Sequence, residues 1–141
     1  MQAKDLMTRN VECVSPDTSI AEIARIMKSM DIGFVPVCDE DRLLGTVTDR
    51  DIVLRAIAED RNSCTASDVM TDEVWWCYDD QTAEEIADYM ASHEVRRVVI
   101  LDRQKRLAGV ISIGDLAKSG EQVKAGEAIG DIAEAPPANA A

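Results

Sequence analysis

Rings are scarce in this chain: one histidine, one phenylalanine, two tyrosines and two tryptophans in 141 residues. The core must therefore be aliphatic, and the lone His93 sits in no Ser-His-Asp, Cys-His or metal-ligand pattern, so a packing or surface role is expected of it. Basic residues are also short. Fifteen Lys and Arg against 27 Asp and Glu leave a formal net charge of −12, a surface that repels nucleic-acid phosphates and anionic membranes. An anionic ligand must then be small and met by a local basic island, and Arg96, Arg97, Arg103, Lys105 and Arg106 form one, diluted by Glu94 and Asp102. No run approaches the ~18 apolar residues of a membrane span, and the opening MQAKDLMTRN has no long apolar stretch, so a cytoplasmic location is expected. The four cysteines, Cys13, Cys38, Cys64 and Cys77, show no CxxC and no zinc-like spacing with His93. No metal is expected, and each cysteine reads first as a small, partly buried, reduced side chain.

What is present is a sentence written twice. Asp5-Leu6-Met7-Thr8 returns as Asp68-Val69-Met70-Thr71, and Glu22-Ile23-Ala24 as Glu85-Ile86-Ala87. Gly45-Thr46-Val47-Thr48-Asp49-Arg50-Asp51 returns as Gly109-Val110-Ile111-Ser112-Ile113-Gly114-Asp115. The chain is a tandem duplication. Each copy reads as β-α-β-β-α. Short strands at Val11–Val14 and Val74–Tyr78 precede helices opened by Ser19-x-x-Glu22 and Thr82-x-x-Glu85. Hairpins follow around Asp39–Arg42 and Asp102–Lys105, then second helices, one from about Asp49 through Ile57 and a shorter one near Gly114. This is an α/β (α+β) pattern, with parallel pairing of the first two strands across a right-handed crossover. A unit this small is marginal alone, so two units packed sheet to sheet are expected. The repeats are placed at 1–62 and 63–120, with Arg61–Thr65 as a polar link. In the extension 121–141, Glu121–Ala135 reads as one weak helix and Pro136–Ala141 as disordered.

Thr48-x-x-Asp51 and Ser112-x-x-Asp115 match a helix capping box, which needs no ligand. Three features point further. A glycine that permits close backbone approach begins each preceding strand. The motif lies at a strand-to-helix junction, where ligands of open α/β sheets gather. Both boxes also use Asp where capping alone would accept Glu.

The order of these motifs in two copies resembles a tandem pair of cystathionine-β-synthase (CBS) domains, a Bateman module, over about Lys4 to Ala117. The carriers are the two Met-Thr openings, DIGFVPVCDED, VRRVVILD, GTVTDRDI and GVISIGDL. The resemblance implies two repeats packed through their sheets with pseudo-two-fold symmetry. It also implies a regulatory, non-catalytic module binding adenine nucleotides (AMP, ADP, ATP or an NAD-type ligand) in clefts between the repeats. Asp51 and Asp115 would accept from the ribose hydroxyls, and Thr48 and Ser112 would face ribose or phosphate. Backbone around Gly33-Phe34-Val35 and Arg97-Val98-Val99 would read the adenine edge, Val11, Ile32 and Val95 would flank the ring, and Arg50 and Arg97 would meet phosphate. A homodimer formed through helices and an unknown regulated protein are the implied partners.

The copies differ. Val99 stands where the first has Pro36, Ile113 where it has Asp49, and Gly114 where it has Arg50, so the two sites cannot be equivalent. Cys13 and Cys38 fall on strands that should be neighbours, which leaves two readings: reduced core cysteines or a redox link. Trp75 and Trp76 should point to opposite sides of their strand. A catalytic barrel of the kind that carries CBS pairs as an insert needs about 250 residues of its own, so no enzyme is expected. The alternative is a ligand-free interaction or redox-responsive module using Cys13 and Cys38.

Overall fold

The computed structural model describes residues 1–9 and 11–118; the expected helix and tail of the 121–141 extension lie outside them. The elements are α1 (Ala3–Leu6), α2 (Ile20–Met30), β1 (Phe34–Asp39), β2 (Arg42–Thr48), α3 (Asp49–Ile52), α4 (Ala66–Val69), β3 (Trp76–Tyr78), α5 (Ala83–His93), β4 (Arg97–Leu101), β5 (Leu107–Ser112) and α6 (Ile113–Lys118). Directly after α3 the chain makes a π-helical turn, Val53–Ile57, with Ala58 N donating to Val53 O at 2.8 Å. The class is mixed α/β with two small sheets, β1-β2 and β3-β4-β5.

The long helices form where their apolar spacing and caps agree. Ser19 Oγ accepts from Glu22 N at 3.2 Å, and Thr82 Oγ1 accepts from Glu85 N at 3.1 Å. Each relieves one orphan amide of the first turn. Ile20, Ile23 and Met27 line the buried face of α2, and Ala83, Ile86, Ala87 and Met90 that of α5. Both helices stop at a left-handed residue, Asp31 (φ 54°) and Glu94 (φ 58°).

The compact units are not the contiguous repeats. Among the described residues, one comprises 1–9 and 75–118, the other Val11–Val74. Each Met-Thr opening is built into the copy it does not precede in sequence. In the first unit Ala3 N donates to Gln81 O (2.7 Å), and Thr8 exchanges bonds with Val110 (2.9 and 3.2 Å). In the second, Ala66 N donates to Thr18 O (2.8 Å), and Thr71 exchanges bonds with Thr46 (both 2.9 Å). The core of one unit runs from Ala3 and Met7 through Ile86, Met90, Ile100 and Ile111; that of the other from Val14 through Ile23, Val35, Val47 and Val69.

This exchange accounts for the glycine that opens each return strand. A Cβ on Gly45 would lie 2.7 Å from Thr71 O, and one on Gly109 would lie 2.6 Å from Thr8 O and 2.8 Å from Met7 Sδ. The close approach is by the protein's own Met-Thr segment. The fold itself thus accounts for both glycines. Gly109→Ala should cost about 1–3 kcal/mol, because backbone must shift and the Thr8–Val110 bridge must loosen. Chemical denaturation would show this as a lower midpoint with an unchanged slope; an unaltered midpoint would contradict the contact.

The expected first strand, Val11–Val14, is reduced to a single parallel bridge between Val14 and Val37, whereas β3 pairs with β4 over three residues. The cause is proline. In the first unit Val99 N donates to Trp75 O (3.0 Å) and Asp79 N to Leu101 O (2.9 Å). Pro36 and Pro16 hold the corresponding places in the other unit and have no N–H to give. Two bonds survive, Val14 N to Pro36 O (3.0 Å) and Cys38 N to Val14 O (2.9 Å). Here a disulfide joins Cys13 to Cys38 across a sequence separation of 25 residues. Cys64 and Cys77 are buried free thiols. Burial, with the Glu85 charge adding to it, pushes the Cys77 thiol up to about 12.

Trp75 and Trp76 do face different neighbours. Trp75 packs on the core beside Tyr89 and His93, whose ring lies 4.4 Å from its own, while Trp76 meets Tyr78 edge-on at 5.1 Å. His93 Nδ1 lies 2.9 Å from Tyr89 O, a packing role at the end of α5.

Candidate functional site

In the unit Val11–Val74, β2 runs directly into α3. Thr48 caps that helix in extended conformation, and its Oγ1 accepts from Asp51 N at 3.1 Å. The carboxylate replies: Asp51 Oδ2 accepts from Thr48 N at 2.9 Å. Thr48 is 4% exposed and the Asp51 side chain 12%. In the other unit β5 runs into α6 in the same way. Asp115 Oδ2 accepts from Ser112 N at 2.9 Å and Ser112 Oγ from Asp115 N at 3.2 Å. Both are complete capping boxes. The hydroxyls expected to face ribose or phosphate accept the helix amide, and one oxygen of each carboxylate is spent on the cap.

The cap leaves acceptor capacity. A carboxylate offers two oxygens and about four lone-pair sites, of which a capping box takes one. The second oxygen of Asp51, Oδ1, lies 3.9 Å from Arg55 Nε. Oδ1 of Asp115 takes no part in the cap.

The other expected residues divide cleanly between the units. Val11, Ile32, Gly33, Phe34, Val35, Thr48, Arg50 and Asp51 fall in Val11–Val74, and Val95, Arg97, Val98, Val99, Ser112 and Asp115 in the other. Antiparallel register sets Phe34 opposite Thr48 and Arg97 opposite Ser112, so the start of each hairpin's first strand meets its box. Asp49 N donates to Gly33 O and Ile113 N to Arg96 O, at 3.0 and 2.9 Å, closing each junction by the same bond. Val35, Val98 and Val99 bury their side chains and present backbone only. Val95 is 5% exposed and packed into the core; Val11 and Ile32 are partly exposed. Arg50 is exposed and Arg97 half-buried.

Two contributors escaped the sequence reading. Arg55 bridges Asp51 to the end of α4, its Nη1 donating to the carbonyls of Val69 (3.1 Å) and Met70 (3.0 Å). The i,i+4 spacing from Asp51 was the available signal. The second is Asp49, whose carboxylate lies over Gly33, with Oδ2 3.0 Å from where a Cβ would stand. Nothing in the motif announces that contact.

Among the described residues no group of three or more His, Cys, Asp or Glu side chains is placed to hold a metal ion. Nor is any helix among them long and apolar enough to cross a membrane.

Comparison with known proteins fits this architecture. The CBS-domain family model matches residues 3–57 and 66–121. The CBS domain-containing protein YhcV of Bacillus subtilis is 41% identical over 115 residues, covering 81% of both chains. Hypoxic response protein 1 of Mycobacterium tuberculosis is 35% identical over 119 residues, covering 82% of both. The crystal structure of Hypoxic Response Protein I, with two coordinated zinc ions, superposes with a TM-score of 0.72 at 34% identity, covering 84% of this chain and 98% of that one. CBSX2, crystallised in complex with AMP, shares the fold with a TM-score of 0.74 at 23% identity, over 87% of this chain and 98% of its own. The chain belongs to the CBS-domain family and carries two copies of the domain.

Proposed function

We propose that the chain is a regulatory, non-catalytic protein of the cytoplasm that binds adenine nucleotides, AMP or ATP before NAD, through its two strand-to-helix junctions. The observation that carries this reading is the half-used carboxylate at each junction. Asp51 and Asp115 each give one oxygen to the cap; the other oxygen of Asp115 takes no part in it, and that of Asp51 meets Arg55 Nε only at 3.9 Å, beyond hydrogen-bond distance. A ribose presents two adjacent hydroxyl donors, which suits an oriented, ionised acceptor held rigid by its own helix. Thr48 and Ser112 fix that orientation. Backbone at Gly33–Val35 and at 97–99 lies beside the boxes and would read the base; Arg50 and Arg97 would meet phosphate.

Signalling would follow from differential affinity: the ligand shifts the protein toward whichever state it binds better, and only by that difference. A second copy of the chain and an unidentified regulated protein are the proposed partners. Exposed Val53, Leu54 and Ile57 on the π-helical turn support pairing between copies.

Calorimetric titration of the purified protein with AMP, ATP and NAD tests the reading. Saturable binding in the micromolar to millimolar range, without turnover, is expected. The Cys13–Cys38 disulfide favours a second reading, a ligand-free redox-responsive module in which all boxes are only caps. No heat and no thermal shift with any of the three nucleotides would leave that one standing.

A further inference from the structure

The unit Val11–Val74 lacks two backbone bonds that the other unit has. Val99 N donates to Trp75 O and Asp79 N to Leu101 O; Pro36 and Pro16 hold the donor places here, so Glu12 O and Cys38 O receive no such bond. The Cys13–Cys38 disulfide lies beside both gaps. N-terminal to Val14 it is the one tie to β1. Among the described residues Val11, Glu12 and Cys13 take part in no hydrogen bond or ion pair, and Val11 is not packed on this unit's core. The parallel bridge sets Val14 beside Val37, and counting back along it brings Val11 abreast of Phe34, which stands opposite Thr48. The disulfide therefore fixes a segment whose far end reaches the Thr48/Asp51 junction. In the other unit Trp75, in the place of Glu12, is secured by its ladder bond and by packing on the core.

We propose that this disulfide is a redox latch on the Thr48/Asp51 junction. Oxidised, it holds Val11 beside Phe34, at the edge of the place where the base would lie. Reduced, it frees residues 11–13 and weakens nucleotide binding at that junction alone. The inference rests on the ribose-binding reading above and adds how that site is regulated. The reductant is a dithiol. One of its thiolates attacks the sulfur of exposed Cys13, and Cys38 leaves as a thiolate and takes up a proton. The second thiol then displaces Cys13, so two electrons and two protons pass to the cysteines and the dithiol departs as its own disulfide. A ligand that closes on a loosened segment must order it again, and fixing one residue costs about tenfold in affinity. Linkage makes the effect reciprocal: bound nucleotide favours the disulfide by the same factor.

The test is an amide-resolved NMR titration of the full chain with AMP, once oxidised and once after treatment with dithiothreitol. Reduction should raise the AMP concentration that half-shifts the Thr48–Asp51 amides about tenfold. That for Ser112–Asp115 should not change. The double change Cys13→Ser and Cys38→Ser should match the reduced protein with or without reductant. Pro36→Val restores the missing N–H, as Val99 supplies it in the other unit, and should make binding at the first junction indifferent to reduction. Saturating AMP should also move the disulfide-to-dithiol ratio in a thiol redox buffer about tenfold toward the disulfide. Equal affinity, or silence, of the Thr48–Asp51 amides in both redox states would overturn the latch while the ribose reading stood. So would a Pro36→Val variant still sensitive to reductant, or loss of the Val35, Val37 and Val47 amides on reduction, which would mean that the link holds the whole unit. Silence of both junctions to AMP in both states would overturn the two readings together.

Discussion

Asp115→Asn should lower adenylate affinity at its junction about ten- to a hundredfold while the fold survives, and Asp51→Asn should do the same at the other. The charged hydrogen bonds lost are worth about 1.5–3 kcal/mol. The cap, by contrast, needs only an acceptor for the amide of Ser112 or Thr48, and an asparagine oxygen supplies one. The change to unfolding free energy should stay within about 1 kcal/mol. Binding and stability thus separate the two roles of one side chain. Calorimetry and denaturation on the same preparation measure both. A variant that binds normally but unfolds early would assign the carboxylates to capping alone.

The second large effect concerns the disulfide. Reducing Cys13–Cys38, or replacing both cysteines by serine, should cost the unit Val11–Val74 about 3 kcal/mol. A covalent loop of this length removes that much conformational freedom from the unfolded chain. The segment it holds has little else. Val14 makes two backbone bonds to its neighbour strand, and Pro16 and Pro36 forbid two more. Cys13 is exposed, so a dithiol reductant can reach the bond without unfolding the protein. Denaturation midpoints with and without reductant should differ clearly in the wild type and coincide in the serine double variant. Equal midpoints in the wild type would show that the link does not hold this edge.

Local features of the fold were legible and long-range ones were not. Helices α2 and α5 announced themselves through a hydroxyl cap, a glutamate three residues on and apolar residues at helical spacing, all within one segment. The hairpins did so through paired β-branched runs around charged turns. The exchange of the Met-Thr openings is different. It depends on contacts between Thr8 and Val110 and between Thr71 and Thr46, which no periodicity records. The same exchange explains Gly45 and Gly109, whose meaning looked like ligand approach until the opposing carbonyls were placed. Strand Val11–Val14 had the right residue types. It failed as a strand because two prolines, one on each partner, took away its ladder donors.

At the site, the sequence pattern located both junctions and the side chains that meet there. It could not separate a cap from a ligand contact, because Thr-x-x-Asp serves both with the same atoms. Val95, expected to flank the ring, packs into the core just after α5. Arg55 and Asp49 emerged only when the helix had been built and the turn at Gly33 brought beneath it.

The central claim is that Asp51 and Asp115 hold the two hydroxyls of a ribose with the oxygen their caps do not use. Comparing adenosine with 2′,3′-dideoxyadenosine by calorimetry on the unaltered protein tests it most directly, since the base and the 5′ end are the same in both. The account predicts at least a tenfold loss of affinity for the dideoxy compound. Equal affinity for the two would contradict it.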